Sequence, residues 1–173
     1  MVEERECENH YRQIIGKYEK LKDFTEDSFD IIVCHNVLEF APERPAIVKE
    51  FSRLLKTDGI LSVVKNNGHG RIMRKAIIEN NVNEAINLLE GGYIANTFGR
   101  VVLYDPEDLV KWSDNLRIKK ILGLDVFYGL QPDSYIKNEQ EWINKMFDIE
   151  MRVCNLEPYK NISLYNHVLL RKA

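Results

Sequence analysis

The stretch FDIIVCHNVLEFAPERPAIVKEFSRLLKTDGILSVVKNN, residues 29–67, decides the fold of this chain. It opens with an apolar run at residues 29–33 that stops abruptly at His35 and Asn36, and a second apolar run follows at residues 60–64. Short apolar runs between turn signals are typical of parallel strands that are buried on both faces. We therefore predict two neighbouring parallel strands that are fully covered.

An amphipathic helix is predicted between these two strands. From residue 42 to residue 56 the apolar side chains Ile47, Phe51 and Leu54 fall on one helical face. Prolines suit the start of this helix, and Gly59 lies just past its predicted end. A strand–helix–strand unit of this length implies a right-handed crossover. Because ligands of open α/β sheets bind beyond the carboxyl ends of the strands, the residues that follow each strand occupy the functional edge.

This unit resembles the fourth and fifth strands of the class I S-adenosylmethionine-dependent methyltransferases. The shared features are the pattern F-D-x-I-x-x-x-x-V-L-E from Phe29, a helix that ends L-L-K-x-x-G at Gly59, and a strand directly after it. The resemblance implies an enzyme with a Rossmann-like α/β sheet and with S-adenosylmethionine as its cofactor.

A second group of residues is similar to the bacterial tRNA 5-carboxymethoxyuridine methyltransferases. In that family the methyl group is transferred to the carboxylate of a modified wobble uridine, which gives a methyl ester. The resemblance therefore implies the anticodon loop of tRNA as a partner. The matching positions are Asn67, His69, Gly70, Glu157, Pro158, Tyr159, Tyr165, His167, Val168, Arg171 and Lys172.

The resemblance also indicates what this sequence lacks. Such enzymes begin with a strand that runs into a G-x-G loop, and a second strand then ends in an acid that holds the ribose. Before residue 30 the sequence offers Gly16 alone and a charged segment. We therefore expect a class I methyltransferase sheet without its first two strands and with an antiparallel last strand, and we leave open whether such a chain is active. The whole chain would be one partial domain, with a charged segment and a third strand in residues 1–28, the strand pair in residues 29–67, and the substrate side in residues 68–173.

Four residues are candidates for cofactor binding by this resemblance: Tyr18, Glu19, His35 and Asn36. His35 stands where the family places a histidine that touches the cofactor, and its place at the strand end favours this interpretation over a histidine that only caps the strand. Tyr18 and Glu19 match the loop on the adenine side of the family's cofactor site. The alternative for Glu19 is an ordinary surface charge.

Four further residues are candidates for substrate binding: Asn67, His69, Tyr165 and His167. In an extended strand Tyr165 and His167 point to the same face. The alternative is that Tyr165 packs in the core and His167 is a strand histidine with its hydrogen bonds satisfied. A carboxylate acceptor is already anionic at neutral pH, because its free pKa is about 4. We therefore assign no catalytic base and expect a clamp of cations or hydrogen-bond donors instead.

One departure from the family and one basic cluster affect the choice of substrate. Leu164 stands where the family carries an arginine, so a small-molecule acceptor stays open as an alternative. No acid interrupts the basic residues between positions 65 and 75, which could contact phosphates of an anticodon loop or form an ordinary solvated helix face. A formal net charge of −3 argues against broad attraction to nucleic acid. The cluster consists of Lys65, Arg71, Arg74 and Lys75.

Composition suits a cytoplasmic protein that does not enter a membrane. No apolar run approaches the roughly 18 residues that a membrane span requires, and the first residues are charged rather than apolar. Cys7, Cys34 and Cys154 are odd in number and lack C-x-x-C spacing, which favours reduced thiols over disulfides or a metal site. A sheet without its first strands would expose a hydrophobic edge. We therefore predict self-association, and a non-catalytic interaction module remains the competing interpretation.

The rest of the chain can be divided coarsely into helices, strands and connectors. We predict a short strand at residues 11–15, helices at 71–80 and 82–89, and a connector at 93–104. Asp105 and Pro106 start a helix that runs through Trp112. The remaining predictions are a strand at 118–128 that is broken near Gly123, a helix at 138–153, and a last strand at 162–170.

Overall fold

A computed structural model describes residues 13–173 of the protein. In chain order the helices and strands are β1 (Phe29–His35), α1 (Arg44–Leu54), β2 (Leu55–Asn66), α2 (Gly68–Ile77), α3 (Val82–Leu89), β3 (Ile94–Asn96), β4 (Gly99–Val101), α4 (Pro106–Lys111), β5 (Leu116–Leu124), α5 (Gln140–Val153), α6 (Glu157–Ile162) and β6 (Tyr165–Lys172). Four short 3-10 helices join them, at Tyr18–Asp23, Leu38–Phe40, Tyr128–Leu130 and Ile136–Asn138.

The larger sheet has four strands in the order β1-β2-β6-β5. Strand β1 pairs with β2 in parallel, as predicted, and α1 forms the connection between them. Strand β6 runs antiparallel to both β2 and β5, so the predicted antiparallel last strand is confirmed. The short β3 and β4 form a separate antiparallel hairpin.

One face of this sheet carries the core. Helices α1 and α4 and the 3-10 helix Tyr18–Asp23 pack on it, because each presents an apolar stripe to the strands. The fully buried members include Val48 on α1, Leu109 on α4 and Val63 on β2. Hydrophobic burial on this one face therefore holds the crossover unit together.

The other face of β1 is open. Ile31 and Val33, which point away from the core, are 61% and 62% exposed. The prediction of a strand covered on both faces is therefore wrong for β1, because it lies at the edge of the sheet and only its Ile32 and Cys34 side meets the core. The prediction of an exposed hydrophobic edge agrees with this arrangement.

The boundary between α1 and β2 differs from the prediction. The helix ends at Leu54 and the strand begins at Leu55, so the predicted helical end at residue 56 is wrong. The register jumps from Phe29 opposite Leu55 to Ile31 opposite Ile60, which places the extra residues in a bulge. Asp58 takes up the turn there with a positive φ of 67°.

The remaining elements follow the predicted order with shifted ends. Helix α3 matches its prediction at both ends, whereas α2 begins three residues earlier than residue 71. Strand β5 runs through Gly123 without a break, and its irregularity lies between Ile118 and Lys120. The predicted connector at 93–104 contains the β3–β4 hairpin, and α6 was not predicted.

The predicted N-terminal strand is not seen in the described part of the chain. Residues 13–15 form no strand, and residues 11–12 lie outside the described residues. Among residues 13–173, no helix is both long enough and apolar enough to span a membrane.

Candidate functional site

The parallel strands β1 and β2 end side by side. His35 lies opposite Val64 in the ladder, and the backbone N–H of Asn36 donates to the carbonyl of Val64 at 2.8 Å. Asn36 then turns the chain with a φ of 53°, a left-handed conformation that asparagine tolerates better than most residues. The strand ends therefore share an edge as predicted, but Asn36 and Asn66 line the cavity there, and the predicted pair of His35 and Asn67 does not.

A cavity of about 600 Å³ opens at this edge. Its walls come from the ends of β1, β2 and β6, from α2, and from the β3–β4 hairpin, which projects Phe98 at its turn. The volume lies within the usual range for small-molecule sites. Amides and aromatic side chains dominate the lining, a chemistry that suits a nucleoside. The lining residues are Asn36, Val37, Phe40, Asn66, Arg71, Ile94, Asn96, Phe98, Val101 and Tyr165.

Arg71 is the charged residue among those that line this cavity. It lies in the first turn of α2, and its guanidinium carbon is 4.4 Å from the centre of the Tyr165 ring. Its Nε is buried and has no hydrogen-bond partner. The cavity therefore presents a stacked cation whose donors are not all satisfied by the protein.

A buried polar cluster fixes Asn66 at the cavity wall. Glu39 Oε1 accepts hydrogen bonds from the backbone N–H of Asn66 at 2.6 Å and from its Nδ2 at 3.0 Å. Lys65 Nζ donates to the Asn66 carbonyl at 2.7 Å and lies 4.9 Å from the centre of the Tyr104 ring. Burial lowers the pKa of Lys65 to about 8, while the charge of Glu39 opposes that shift. The end of β2 is thus held in place by groups that face away from solvent.

His35 and His167 meet on the open face of the sheet instead of lining the cavity. Ser62 Oγ lies 3.0 Å from His35 Nε2 and 2.8 Å from His167 Nε2. Burial lowers the pKa of His167, and the nearby His35 adds to the effect. The prediction that Tyr165 and His167 share one face agrees with the alternation of β6, but only Tyr165 reaches the cavity.

Asn67 has a structural role, because its side-chain amide bonds to backbone carbonyls. Its Nδ2 donates to the carbonyls of Asn161 at 2.9 Å and Ser163 at 2.8 Å, with a longer contact to Lys160 at 3.4 Å. His69 is exposed, and together with Asn67 it lines a different cavity of about 190 Å³ beside α4 and α6. These two residues are therefore brought together, but away from Asn36 and Tyr165.

Tyr18 and Glu19 lie in the 3-10 helix that packs beside α1. Tyr18 contacts the hydrophobic core, and Glu19 lines a shallow surface cavity with its sequence neighbours. Neither residue lines the cavity at the strand ends. Of the four cofactor candidates, Asn36 is the one that does.

The basic cluster at residues 65–75 does not form a free surface patch. Lys65 is buried. Arg74 donates to the carbonyl of Gly129 at 2.6 Å and pairs with Glu79 at 3.0 Å. Lys75 pairs with Glu79 at 2.7 Å and with Glu84 at 2.9 Å. Arg71 is left as the member of the cluster that faces a cavity.

Two thiols and one further cavity add no chemistry to the site. Burial raises the pKa of Cys34 to about 12, and Glu39 reinforces the shift, so the thiol stays protonated. A cavity of about 470 Å³ between β5 and α5 has an apolar lining. Its Glu150 already accepts three backbone N–H bonds from residues 126–128. Within residues 13–173, no three His, Cys, Asp or Glu side chains converge as metal ligands would.

Sequence reasoning missed the roles of Arg71 and of the hairpin. Arg71 was predicted as part of a phosphate-contacting rim, and the hairpin was predicted as a connector. Neither role could be read from local spacing, because both depend on contacts between separate elements of the fold.

Comparisons with known proteins support the family resemblance. Residues 1–63 match the model of a methyltransferase domain. The tRNA 5-carboxymethoxyuridine methyltransferase of Escherichia coli strain K12 is 24% identical over 152 residues, which cover 85% of this chain and 56% of that protein. The ubiquinone biosynthesis O-methyltransferase of Glaesserella parasuis serovar 5 is 25% identical over 154 residues, which cover 84% of this chain and 59% of that protein. The chain thus spans just over half the length of these relatives.

Solved structures support the fold. An S-adenosylmethionine-dependent methyltransferase from Archaeoglobus fulgidus superposes with a TM-score of 0.52 at 13% identity, covering 96% of this chain and 70% of that chain. A complex that contains the Haloferax volcanii Trm112 methyltransferase activator gives a TM-score of 0.50 at 12% identity, covering 92% and 60%. The predicted fold class is confirmed, and the matches agree with the resemblance to methyltransferases.

Proposed function

We propose that this chain is an S-adenosylmethionine-dependent methyltransferase and that it transfers a methyl group to an acceptor held in the cavity at the ends of β1 and β2. One observation carries this proposal: the two parallel strands deliver Asn36 and Asn66 to one rim, and that rim opens into a cavity of about 600 Å³. This is the edge at which open α/β sheets bind their ligands.

The acceptor that we propose is the carboxylate of a modified uridine at the tRNA wobble position. The similarity to the Escherichia coli enzyme supports this choice. The cavity supports it as well, because its volume and its aromatic and amide lining suit a single unstacked base. Recognition of such a base requires a local site and not a strongly basic protein, so the net charge of −3 is compatible with it.

The chemistry requires little beyond positioning. S-adenosylmethionine supplies, when bound, an electrophilic methyl group on a sulfonium. An acceptor carboxylate would take up this methyl group as a methyl ester, with the electrons of the former C–S bond left on the sulfur of S-adenosylhomocysteine. No proton moves in this step, so the chain needs to hold the acceptor in line and to exclude water.

A radiolabel assay tests this function. The protein is incubated with tritiated-methyl S-adenosylmethionine and bulk tRNA, and the RNA is then treated with mild alkali. Methyl esters release volatile methanol under this treatment, whereas methylated bases and methyl ethers do not. We expect alkali-labile label in the tRNA. Calorimetry with S-adenosylhomocysteine measures cofactor binding separately. Labelled RNA that is stable to alkali would contradict the proposed acceptor.

A small-molecule acceptor is the second candidate, and the similarity to the ubiquinone biosynthesis O-methyltransferase favours it. A hydroxyl acceptor would need a general base near the methyl group. His35 and His167 are occupied with Ser62 on the sheet face, and neither lines the cavity. The geometry thus favours the carboxylate. The same labelling with a metabolite extract in place of tRNA separates the two candidates.

We also propose that the protein self-associates through β1, whether or not it is catalytic. Among residues 13–173, strand β1 pairs on one side only, and its Ile31 and Val33 are mostly exposed, an arrangement that favours pairing with another chain. Sedimentation should give a mass above that of the monomer. The double variant I31K/V33K should lower it, whereas a matched control at Ile77 and Leu89, each 68% exposed, should not. A monomeric wild-type protein would contradict this proposal.

We propose the cytoplasm as the place where this activity occurs, because tRNA is available there.

A further inference from the structure

We infer that Arg71 holds the carboxylate of the methyl acceptor and thereby selects an anionic acceptor over a neutral one. The inference rests on the proposed function, and it deepens that function by assigning the acceptor's charge to one side chain. Its starting point is the position of Arg71, whose guanidinium lies over the ring of Tyr165 in the wall of the cavity.

The first argument is that Arg71 has unused hydrogen-bonding capacity. A guanidinium carries five N–H donors and is always charged at physiological pH. The Nε of Arg71 is buried without a partner, and no carboxylate among residues 13–173 forms an ion pair with this side chain. A buried donor without a partner costs about 1–3 kcal/mol. The orphan Nε is shielded from the cavity, so a ligand anion would pair with the terminal N–H groups of the guanidinium, which form no hydrogen bond with another residue among 13–173.

The second argument is that the guanidinium is held in one orientation. Its stacking at 4.4 Å on Tyr165 fixes the plane of the fork, as arginine–aromatic stacks do. A fixed planar fork matches the two oxygens of a carboxylate in a bidentate pair. Lysine, which is a point charge on a flexible stem, would keep the attraction but lose that match.

The third argument comes from the surroundings of Arg71. The other residues that line the cavity are neutral amides, a tyrosine and apolar side chains, so nothing in the lining neutralises the cation. The neighbouring cations already have partners in the protein. Arg74 pairs with Glu79 and donates to the carbonyl of Gly129. Lys75 pairs with Glu79 and Glu84. An anion that enters this cavity therefore finds its partner in Arg71.

The test measures binding without any cofactor. Calorimetry compares the binding of two nucleosides and one nucleotide to the whole protein: 5-carboxymethoxyuridine, its uncharged methyl ester, and uridine 5′-monophosphate as a phosphate probe. We expect wild type to bind the acid about 10- to 100-fold more tightly than the ester, as a charge-assisted pair would give. Arg71→Met should abolish this preference. Arg71→Lys should retain a reduced preference, because it keeps the charge without the fork.

A second arginine provides the matched control. Arg100 also stacks on a tyrosine ring, with its guanidinium carbon 3.6 Å from the centre of Tyr93, but it does not line the cavity. Arg100→Met should leave the preference for the acid unchanged. Thermal melting of each variant by circular dichroism confirms that it is folded, and the ratio of acid to ester affinity is compared within each folded variant.

The outcomes separate this inference from the proposed function. Equal affinity of wild type for acid and ester, or an unchanged ratio in Arg71→Met, overturns the assignment of Arg71 even if tRNA is methylated. A preference for uridine 5′-monophosphate that depends on Arg71, without one for the carboxylate, also overturns it. An Arg71-dependent preference for the acid, with no label transferred to tRNA, supports the anion site and refutes the proposed reaction.

Discussion

The substitution Gly70→Ala should disrupt the packing that positions the cavity, and the structure sets the size of the effect. A methyl group on Gly70 would lie 2.0 Å from the carbonyl oxygen of Ser163 and 2.7 Å from that of Ile162. Both are backbone atoms, so relief requires α2 to move away from α6 by about 1 Å, since real contacts of this kind lie beyond 3.0 Å. Overpacking of this type costs typically about 1–3 kcal/mol and occasionally more. The higher helix propensity of alanine offsets up to about 1 kcal/mol of this cost.

We therefore expect Gly70→Ala to lower the free energy of unfolding by about 2 kcal/mol. For a chain of this length that corresponds to a fall in Tm of about 4–8 °C. Urea unfolding followed by circular dichroism gives the first quantity, and thermal melting gives the second. Because Arg71 is the next residue, the preference for an anionic nucleoside should weaken as well.

Gly68→Ala is the matched control in the same helical turn. Its added methyl group would lie 3.7 Å from Leu103 Cδ1, an ordinary van der Waals contact. We expect no loss of stability, or a small gain from helix propensity. If Gly70→Ala were as stable as wild type, or if both variants lost stability equally, the proposed close contact between α2 and α6 would be refuted.

Three further predictions concern buried polar groups. Asn67→Asp should destabilise the protein more than Asn67→Ala in urea unfolding, because it sets a carboxylate against the carbonyls of Asn161 and Ser163; the opposite order would contradict the structural role of this amide. Because the pKa of His167 is lower in the folded state, the unfolded state binds more protons, so stability should be lost as pH falls below about 6.5. His167→Gln should reduce that loss between pH 7.5 and 5.5, whereas a glutamine at the exposed His69 should not. The pKa of Lys65 is lowered to about 8, so stability should rise with pH from about 8 towards 10, and an unchanged rise in Lys65→Met would contradict this assignment.

Local pattern was sufficient for the elements whose stability depends on near neighbours. The apolar runs of β1 and β2 and the stripe of α1 predicted the crossover unit, and the pairing of Asp105 with Pro106 predicted the start of α4. There Asp105 forms a capping box with Asp108 and the proline occupies the first helical position. The ends of α1 and β5 were less well predicted, because the bulges that set them depend on partners in other strands.

The candidate site was predicted in part. The edge of the sheet and the cavity residues Asn36 and Tyr165 follow from the strand order that the resemblance implies. The role of Asn67 did not follow, because it depends on the carbonyls of α6, an element that was not predicted. Nor did the contact of His35 with His167 through Ser62, which joins three strands and spans 105 positions between the serine and the second histidine.

The sequence by itself determined that two parallel strands with a crossover helix bring polar residues to a shared edge, because hydrophobic periodicity and turn residues act over a few positions. Tertiary structure alone decided which side chains face the cavity. Arg71 meets Tyr165 only when α2 packs against the last strand, and Ile31 and Val33 stay exposed only because β1 ends the sheet. Such contacts join residues that are distant along the chain, so no local pattern specifies them.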